Sequence, residues 1–112
     1  MNNIAMIFKA LSNNTRLKIM ALLSQNELCV CQIESILKIS QVMASRHLTI
    51  LKHAGLVKNR RKGLWIYYSI IIPKDDIAKK VFGCFNELIR KYPELRVNLK
   101  TINSCVEKNN KK

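Results

Sequence analysis

Residues 40–57 read SQVMASRHLTILKHAGLV, and this stretch decides the fold. Ser40 is a good N-cap, because its hydroxyl can accept a hydrogen bond from a free backbone N–H of the first helical turn. Met43 and Leu48 follow at helical spacing and are expected to face inward. Gly55 is expected to end the helix, since glycine readily adopts the left-handed conformation after a last turn. The stretch therefore predicts one helix with clear bounds.

The segments on either side of this helix indicate its architecture. A shorter helix is predicted at residues 29–37, and the tight connection at 38–40 has the spacing of a helix-turn-helix. Two strand-like runs follow, at 57–61 and 64–72, separated by a Lys-Gly pair. A helix-turn-helix followed directly by a β-hairpin is the winged-helix arrangement. The predicted fold class is mainly α with a small β-hairpin (α+β), a winged helix-turn-helix.

Amphipathic patterns also predict helices outside this unit. Two precede it, at residues 4–11 and 15–23, and a long helix begins at Asp75 or Asp76 after Pro73, with a last helical segment beyond Pro93. The first and last helices carry more apolar surface than so small a core can bury. We therefore expect a homodimer through them; the alternative is a helix that only closes the monomer core.

Length and composition suit one globular domain. The chain has 112 residues and is 48% hydrophobic. We predict that the winged-helix and dimerisation domain spans residues 1–106 and that the basic tail, 107–112, is disordered. No apolar run approaches the roughly 20 residues of a membrane span, and no secretory signal pattern begins the chain. We expect a cytoplasmic protein without a membrane partner.

The charge pattern indicates a polyanionic partner. The net charge is +13, and no acidic residue lies between Glu34 and Asp75, a stretch that holds eight Lys and Arg residues. Neutralisation of phosphates by such side chains supplies most non-specific DNA affinity. The expected partner is double-stranded DNA; the alternative is a highly charged, solvated surface.

Candidate DNA contacts lie on the helix of residues 40–54, called here the reader helix, and on the hairpin, called the wing. Gln and Arg reach base edges, Ser hydroxyls reach bases or phosphates, and a helix N-terminus attracts phosphate. Basic side chains at the hairpin tip suit the flanking minor groove or the backbone. The candidates are Ser40, Gln41, Ala44, Ser45, Arg46 and His47 on the reader helix, and Arg60, Arg61 and Lys62 on the wing.

Four cysteines suggest a second kind of site. Cys29 and Cys31 form a C-x-C pair, whereas Cys84 and Cys105 are single. Thiolates are soft ligands for As(III), Sb(III), Cd(II), Pb(II), Zn(II) or Cu(I). Because positions i and i+2 of a helix do not face each other, both sulfurs can hold one ion only if Cys29 lies at or before a helix start, or the backbone unwinds there. The alternative is two small buried hydrophobic side chains.

Several separate segments together resemble the ArsR/SmtB metalloregulators. They are ELCVC at 27–31, SQ at 40–41 with SRHLTILKHAGLV at 45–57, GLWIYY at 63–68, and ALS at 10–12 with TRL at 15–17. The resemblance covers about residues 4–72. It implies a dimeric repressor that binds its operator when free of ligand and releases it when an inducer binds, with Cys29 and Cys31 as ligands.

One position departs from the family pattern. The arsenic-sensing members carry a third Cys three residues after the pair, where this chain has Glu34. Cys105 or Cys84 is the candidate third ligand, and a two-thiolate site completed by water or a small thiol stays open. Cadmium- and lead-sensing relatives also use a Cys from an N-terminal extension, and residues 1–28 contain no Cys, so a cadmium or lead sensor is less expected. No His follows His53 to form the zinc site of other relatives.

The predicted function is a metalloid-responsive transcriptional repressor, induced by As(III) or Sb(III), that needs no cofactor to bind DNA. The alternatives are a sensor of Cd, Pb or Zn, a thiol-redox repressor, and an architectural DNA-binding protein without a ligand. An enzyme is not expected, because the sequence has no nucleophile–base pair, phosphate loop or H-E-x-x-H motif.

Overall fold

The computed structural model describes residues 2–72 and 74–96 and has the predicted order of helices and the predicted hairpin, with one short strand, β1, that was not predicted. The helices and strands pack around one core, and a short 3₁₀ turn at Pro93–Leu95 follows the last helix. Pro73, the segment from residue 97 onward with Cys105, and the predicted tail at 107–112 lie outside the described residues. The elements are α1 Asn2–Leu11, α2 Asn14–Gln25, β1 Leu28–Cys29, α3 Val30–Leu37, α4 Gln41–His53, β2 Val57–Lys62, β3 Trp65–Ile70 and α5 Asp76–Lys91.

The wing is part of a three-stranded antiparallel sheet in the order β1-β3-β2. The hairpin of β2 and β3 was predicted, but β1 was not, and it pairs Cys29 with Tyr67 on β3. On the other side of β3, Tyr67 pairs with Arg60 of β2. Cys29, Tyr67 and Arg60 therefore form one row across the sheet, and side chains in such a row point to the same face.

Local signals in the sequence set the helix ends. The Ser40 hydroxyl accepts a hydrogen bond from the backbone N–H of Met43 at 3.2 Å, so Ser40 caps α4 as predicted. The Asp75 carboxylate caps α5 in the same way. Gly55 takes φ +77° just after α4, a backbone conformation that glycine adopts without strain.

Apolar side chains from all five helices, β1 and β2 form one core cluster. Helix α2 contacts α4, α5 and β3, and α4 also contacts β2, so one face of the reader helix is fixed against the core. Its fully buried large side chains include Ile19, Met20, Leu22, Leu28, Ile33, Leu48, Leu51 and Phe85.

Apolar side chains remain exposed on the two outer helices. Met6 and Phe8 on α1 and Ile77 on α5 are large, apolar and solvent-exposed in the single chain. Such surface suits the predicted homodimer contact. Within the described ranges, no helix combines the length and apolar character needed to cross a membrane.

Candidate nucleic-acid interface and thiol site

The outer face of α4 presents a continuous exposed surface. Gln41, Ser45 and Arg46 lie on it, as expected from the sequence, and Ser40 stands exposed at the helix start. Val42, which is 68% exposed, belongs to the same surface, although the sequence did not predict it as a DNA contact. The surface thus offers polar groups for base edges and a branched apolar side chain that suits a thymine methyl group.

Three side chains of α4 lie on the opposite face from the one predicted. Ala44 is 0% exposed and His47 only 6%, so their placement on the outer face is wrong, while Met43, expected inward, is 41% exposed. The buried residues of α4 are Ala44, His47, Leu48 and Leu51. These positions, i, i+3, i+4 and i+7, are the stripe that an amphipathic helix turns toward its core. The sequence would have predicted this buried stripe if His47 had been counted as an apolar residue.

His47 has a specific partner in the interior. Its ring Nδ1 lies 3.2 Å from Nη1 of Arg16 on α2. The Arg16 Nε also donates to the carbonyl of Ala10, near the end of α1. Burial lowers the pKa of His47, and the positive charges of Arg16 and Arg46 lower it further. His47 is therefore a buried neutral acceptor rather than a phosphate contact.

The wing presents its basic residues in two ways. Arg61 and Lys62 are exposed near the tip, where a phosphate backbone can reach them. Arg60 is also exposed, but it donates to both carboxylate oxygens of Glu27, at 2.6 and 2.8 Å. Its guanidinium lies 5.3 Å from the ring centroid of Tyr67. This bidentate bond holds the pKa of Glu27 below its usual value, so Arg60 links the wing to the chain just before Cys29.

The fold brings the two cysteines of the C-x-C pair together. Their Sγ atoms lie 2.9 Å apart. Cys29 occupies the N-cap position of α3, with extended backbone angles, and its N–H donates to the side-chain oxygen of Gln32 at 2.7 Å. Cys31 lies in the first turn of α3. The structure thus confirms the condition from the sequence that Cys29 lies at a helix start.

The cysteine pair opens into a cavity shared with both candidate DNA-binding elements. The cavity has a volume of about 400 Å³. Glu34, at the position of the family's third Cys, and Gln41, the first residue of the reader helix, both lie on its wall. The full lining is Cys29, Val30, Cys31, Glu34, Gln41, Leu64, Trp65 and Ile66. One space therefore touches the thiols, the reader helix and the wing.

Among the described residues, neither predicted third ligand lines the cavity with Cys29 and Cys31. Cys84 lies exposed on α5, where its thiol contacts the carbonyl of Lys80 at 3.7 Å, and it does not line the cavity. Cys105 lies outside the described residues. In residues 2–72 and 74–96, no three His, Cys, Asp or Glu side chains are grouped closely enough to hold a metal ion. Within those ranges the site is a two-thiol pair with a carboxylate on the same wall.

A tyrosine connects the pair to the wing. Tyr67 lies beside Cys29 in the sheet register. Burial raises the pKa of Tyr67, and negative charge on Cys29 or Cys31 raises it further. Its phenol therefore stays protonated beside the thiols, with the Arg60 guanidinium over its ring. Tyr67 thus places a protonated phenol of β3, the central strand of the sheet, beside the thiols.

Comparison with known proteins agrees with this architecture. The family model described as "Bacterial regulatory protein, arsR family" matches residues 13–59. An HTH-type transcriptional regulator of Methanocaldococcus jannaschii is 46% identical over 85 residues, covering 75% of this chain and 92% of that protein. The chain belongs to the ArsR family. It is thus related to transcriptional regulators.

Two relatives of this ArsR-family chain are named for metal resistance. The arsenical resistance operon repressor of Escherichia coli is 45% identical over 65 residues, covering 57% of this chain and 56% of that protein. A cadmium resistance regulatory protein CadC homolog of Staphylococcus aureus is 46% identical over 69 residues, covering 61% of this chain and 57% of that protein. The chain spans little more than half the length of each.

Solved structures confirm the winged-helix fold of the ArsR-family chain. HlyU from Vibrio cholerae N16961 superposes with a TM-score of 0.67 at 31% identity, over 81% of this chain and 92% of that one. A homodimeric winged helix-turn-helix DNA-binding domain from Mycobacterium bovis, a possible ArsR-family regulator, superposes with a TM-score of 0.66 at 31% identity, over 87% of each chain.

Proposed function

We propose that this chain is a cytoplasmic repressor that binds operator DNA as a homodimer and releases it when trivalent arsenic or antimony binds Cys29 and Cys31. The observation that carries the proposal is the position of the two sulfurs, 2.9 Å apart on the wall of a cavity that also holds Gln41 and Trp65. An ion held by the pair would sit against both elements that face the DNA.

The DNA-binding half rests on charge and shape. Gln41, Ser45 and Arg46 form the exposed outer face of α4, with Arg61 and Lys62 on the adjoining wing. In a dimer, two such helices would enter successive major grooves about one helical turn apart. The exposed apolar side chains of α1 and α5 supply the dimer contact. No cofactor is needed for this binding.

The ligand half rests on coordination chemistry. Two thiolates suit a soft ion, and the fold supplies both from one short segment without unwinding a helix. The relation to the arsenical resistance operon repressor favours a metalloid. The third ligand is then a group outside the described pair, such as Cys105, Cys84 of the second protomer, water or a small thiol.

A second candidate is a sensor of zinc or cadmium. Glu34 lines the same cavity as both cysteines, and it would have to move toward them to complete a three-ligand site. A carboxylate oxygen is an ordinary ligand of Zn(II) but not the thiolate that As(III) prefers. The relation to the cadmium resistance regulatory protein is similarly close. The two candidates use the same pair of sulfurs and differ in the ion that they bind most tightly.

Release of DNA under defined ligands distinguishes these candidates. Duplexes selected for tight binding by the reduced protein would be titrated in about 0.15 M salt, with fluorescence anisotropy as the readout. Arsenite, antimonite, Cd(II), Zn(II) and peroxide would be added in parallel. We expect arsenite to weaken binding by about 5- to 150-fold, since typical allosteric couplings are about 1–3 kcal/mol.

The control compares two thiols of the same chain. Cys29→Ser should abolish the arsenite effect, whereas Cys84→Ser should keep it unless Cys84 supplies the third ligand. If arsenite leaves the affinity unchanged while Zn(II) or Cd(II) weakens it, the second candidate replaces the first. If peroxide alone acts, the site responds to oxidation.

A further inference from the structure

Arg16, which is half-buried, and the buried His47 form a polar link between three helices. Arg16 is on α2, the carbonyl of Ala10 that it contacts is on α1, and His47 is on the reader helix α4. Ala10 lies in the last turn of α1, where backbone carbonyls have no partner within their own helix. The Arg16 guanidinium satisfies that carbonyl and also reaches the imidazole. The start of α2, the helix that carries Arg16, is capped by Asn13, whose Oδ1 accepts a hydrogen bond from the backbone N–H of Arg16 at 3.1 Å.

The chemistry of the link determines the state of His47. A guanidinium can only donate, so the Nδ1 of His47, 3.2 Å away, must accept, and the ring proton stands on Nε2. Protonation at Nδ1 would remove the hydrogen-bond acceptor and place a positive imidazolium next to the positive guanidinium of Arg16. The charged groups that act on the ring are Arg16 from α2 and Arg46 from α4 itself, and both oppose the imidazolium.

We propose that Arg16 and His47 are positioning residues that hold the reader helix at the angle required for specific DNA recognition, and that protonation of His47 releases this hold. Neither residue touches the DNA in this scheme. His47 is buried on the inner face of α4, directly behind the exposed residues Ser45 and Arg46. The link therefore holds the exposed face of α4 in place from the side that packs on the core.

Specific and non-specific binding should respond differently. Non-specific affinity depends on the number of phosphates neutralised and tolerates small rotations of a helix. Specific affinity requires side chains to meet base edges in register. Loss of the link should therefore lower the ratio of specific to non-specific affinity, whereas a general loss of folded protein would lower both together.

The test is a pair of substitutions at one position. His47→Leu keeps most of the volume and removes the acceptor. His47→Asn removes the titration but places Oδ1 where Nδ1 stood, so it can still accept from Arg16. We expect His47→Leu to lower the ratio by about 10- to 100-fold, the range of one lost base contact, and His47→Asn to restore most of it. Circular dichroism would verify that both variants are folded.

A pH series provides a measurement that would not change if His47 acted only through packing. For wild type the ratio should be constant at about pH 7.5 and fall as the pH passes below the ordinary histidine value of 6.5, because the pKa of His47 is lowered. His47→Asn should give a flat profile. His53→Gln is the matched control, since His53 is the exposed histidine of the same helix, and this variant should keep the wild-type profile.

Three results would overturn the inference: an unchanged ratio in His47→Leu, no rescue by His47→Asn, or the same pH profile in wild type and His47→Asn. The inference rests on the DNA-binding half of the proposed function and uses no inducer. If arsenite fails to release DNA, this inference is unaffected. If the wild-type protein shows no preference among duplexes, the DNA-binding half of the proposed function is itself refuted.

Discussion

Binding of a soft ion must move the sulfurs of Cys29 and Cys31 apart. With Zn–S bonds of about 2.3 Å at a tetrahedral angle, two sulfurs on one zinc ion stand about 3.8 Å apart. They lie 2.9 Å apart without an ion, so the pair must open by about 0.9 Å. Cys29 is held by the sheet and by Gln32, so we expect Cys31 and the first turn of α3 to make most of this movement.

Trp65 provides the assay, because it is the one tryptophan of the chain and lies on the cavity wall with both cysteines. Titration of reduced protein with arsenite or Zn(II) should give a saturable change in its emission. X-ray absorption on the same samples would then count the sulfur neighbours, with at least two expected. Cys31→Ser should lose the change in emission.

The matched control for this experiment is Cys84→Ser, which removes a thiol outside the cavity. An emission change that persists in Cys31→Ser would refute the reasoning, as would fewer than two sulfur neighbours in wild type. Equal loss of the signal in Cys31→Ser and Cys84→Ser would instead identify Cys84 as the third ligand.

Three further predictions concern single side chains. Glu34→Cys places a third thiol on the cavity wall. We expect this variant to bind arsenite more tightly than wild type does, and to favour arsenite over Zn(II) more strongly, as measured by the Trp65 titration. Ser40→Ala removes the cap of α4 and should lower the free energy of unfolding by about 1 kcal/mol, measured by urea denaturation; an unchanged midpoint would contradict this. Arg60 lowers the pKa of Glu27 below 4.5, so this pair stabilises the fold above that pH and the contribution disappears as pH falls through the lowered value. Glu27→Gln should therefore flatten the acid side of the stability profile slightly, because the pair is largely exposed, and a profile identical to wild type would show that the bond is not formed in solution.

The helices of this fold were predictable because their end signals are local. Ser40, Gly55 and Asp75 each act through a backbone group at most three residues away or through their own φ angle. Strand β1 gave no such signal. Two residues are too few to show an alternating pattern, and Leu28 is a strand residue only because Tyr68, forty positions later, pairs with it.

The candidate site was predictable in part for the same reason. The C-x-C spacing specified what the backbone at Cys29 had to do, and the structure shows that geometry. The inward position of His47 depends on Arg16, 31 residues away, and the engagement of Arg60 depends on Glu27, 33 residues away. Long-range polar pairs of this kind carry no periodic signal in a single sequence, whereas the apolar stripe around them does.

Within residues 2–72 and 74–96, the strand order β1-β3-β2 gives the sheet two unequal edges. The edge at β1 is two residues long, too short to recruit another strand. The edge at β2 reads VKNRRK, four of whose six residues are positive. Lysine and arginine along an open edge oppose the addition of a second, equally charged strand. The same side chains that give the wing its attraction for nucleic acid therefore also keep copies of the protein from joining edge to edge, so substitutions that neutralise the wing carry a risk of aggregation.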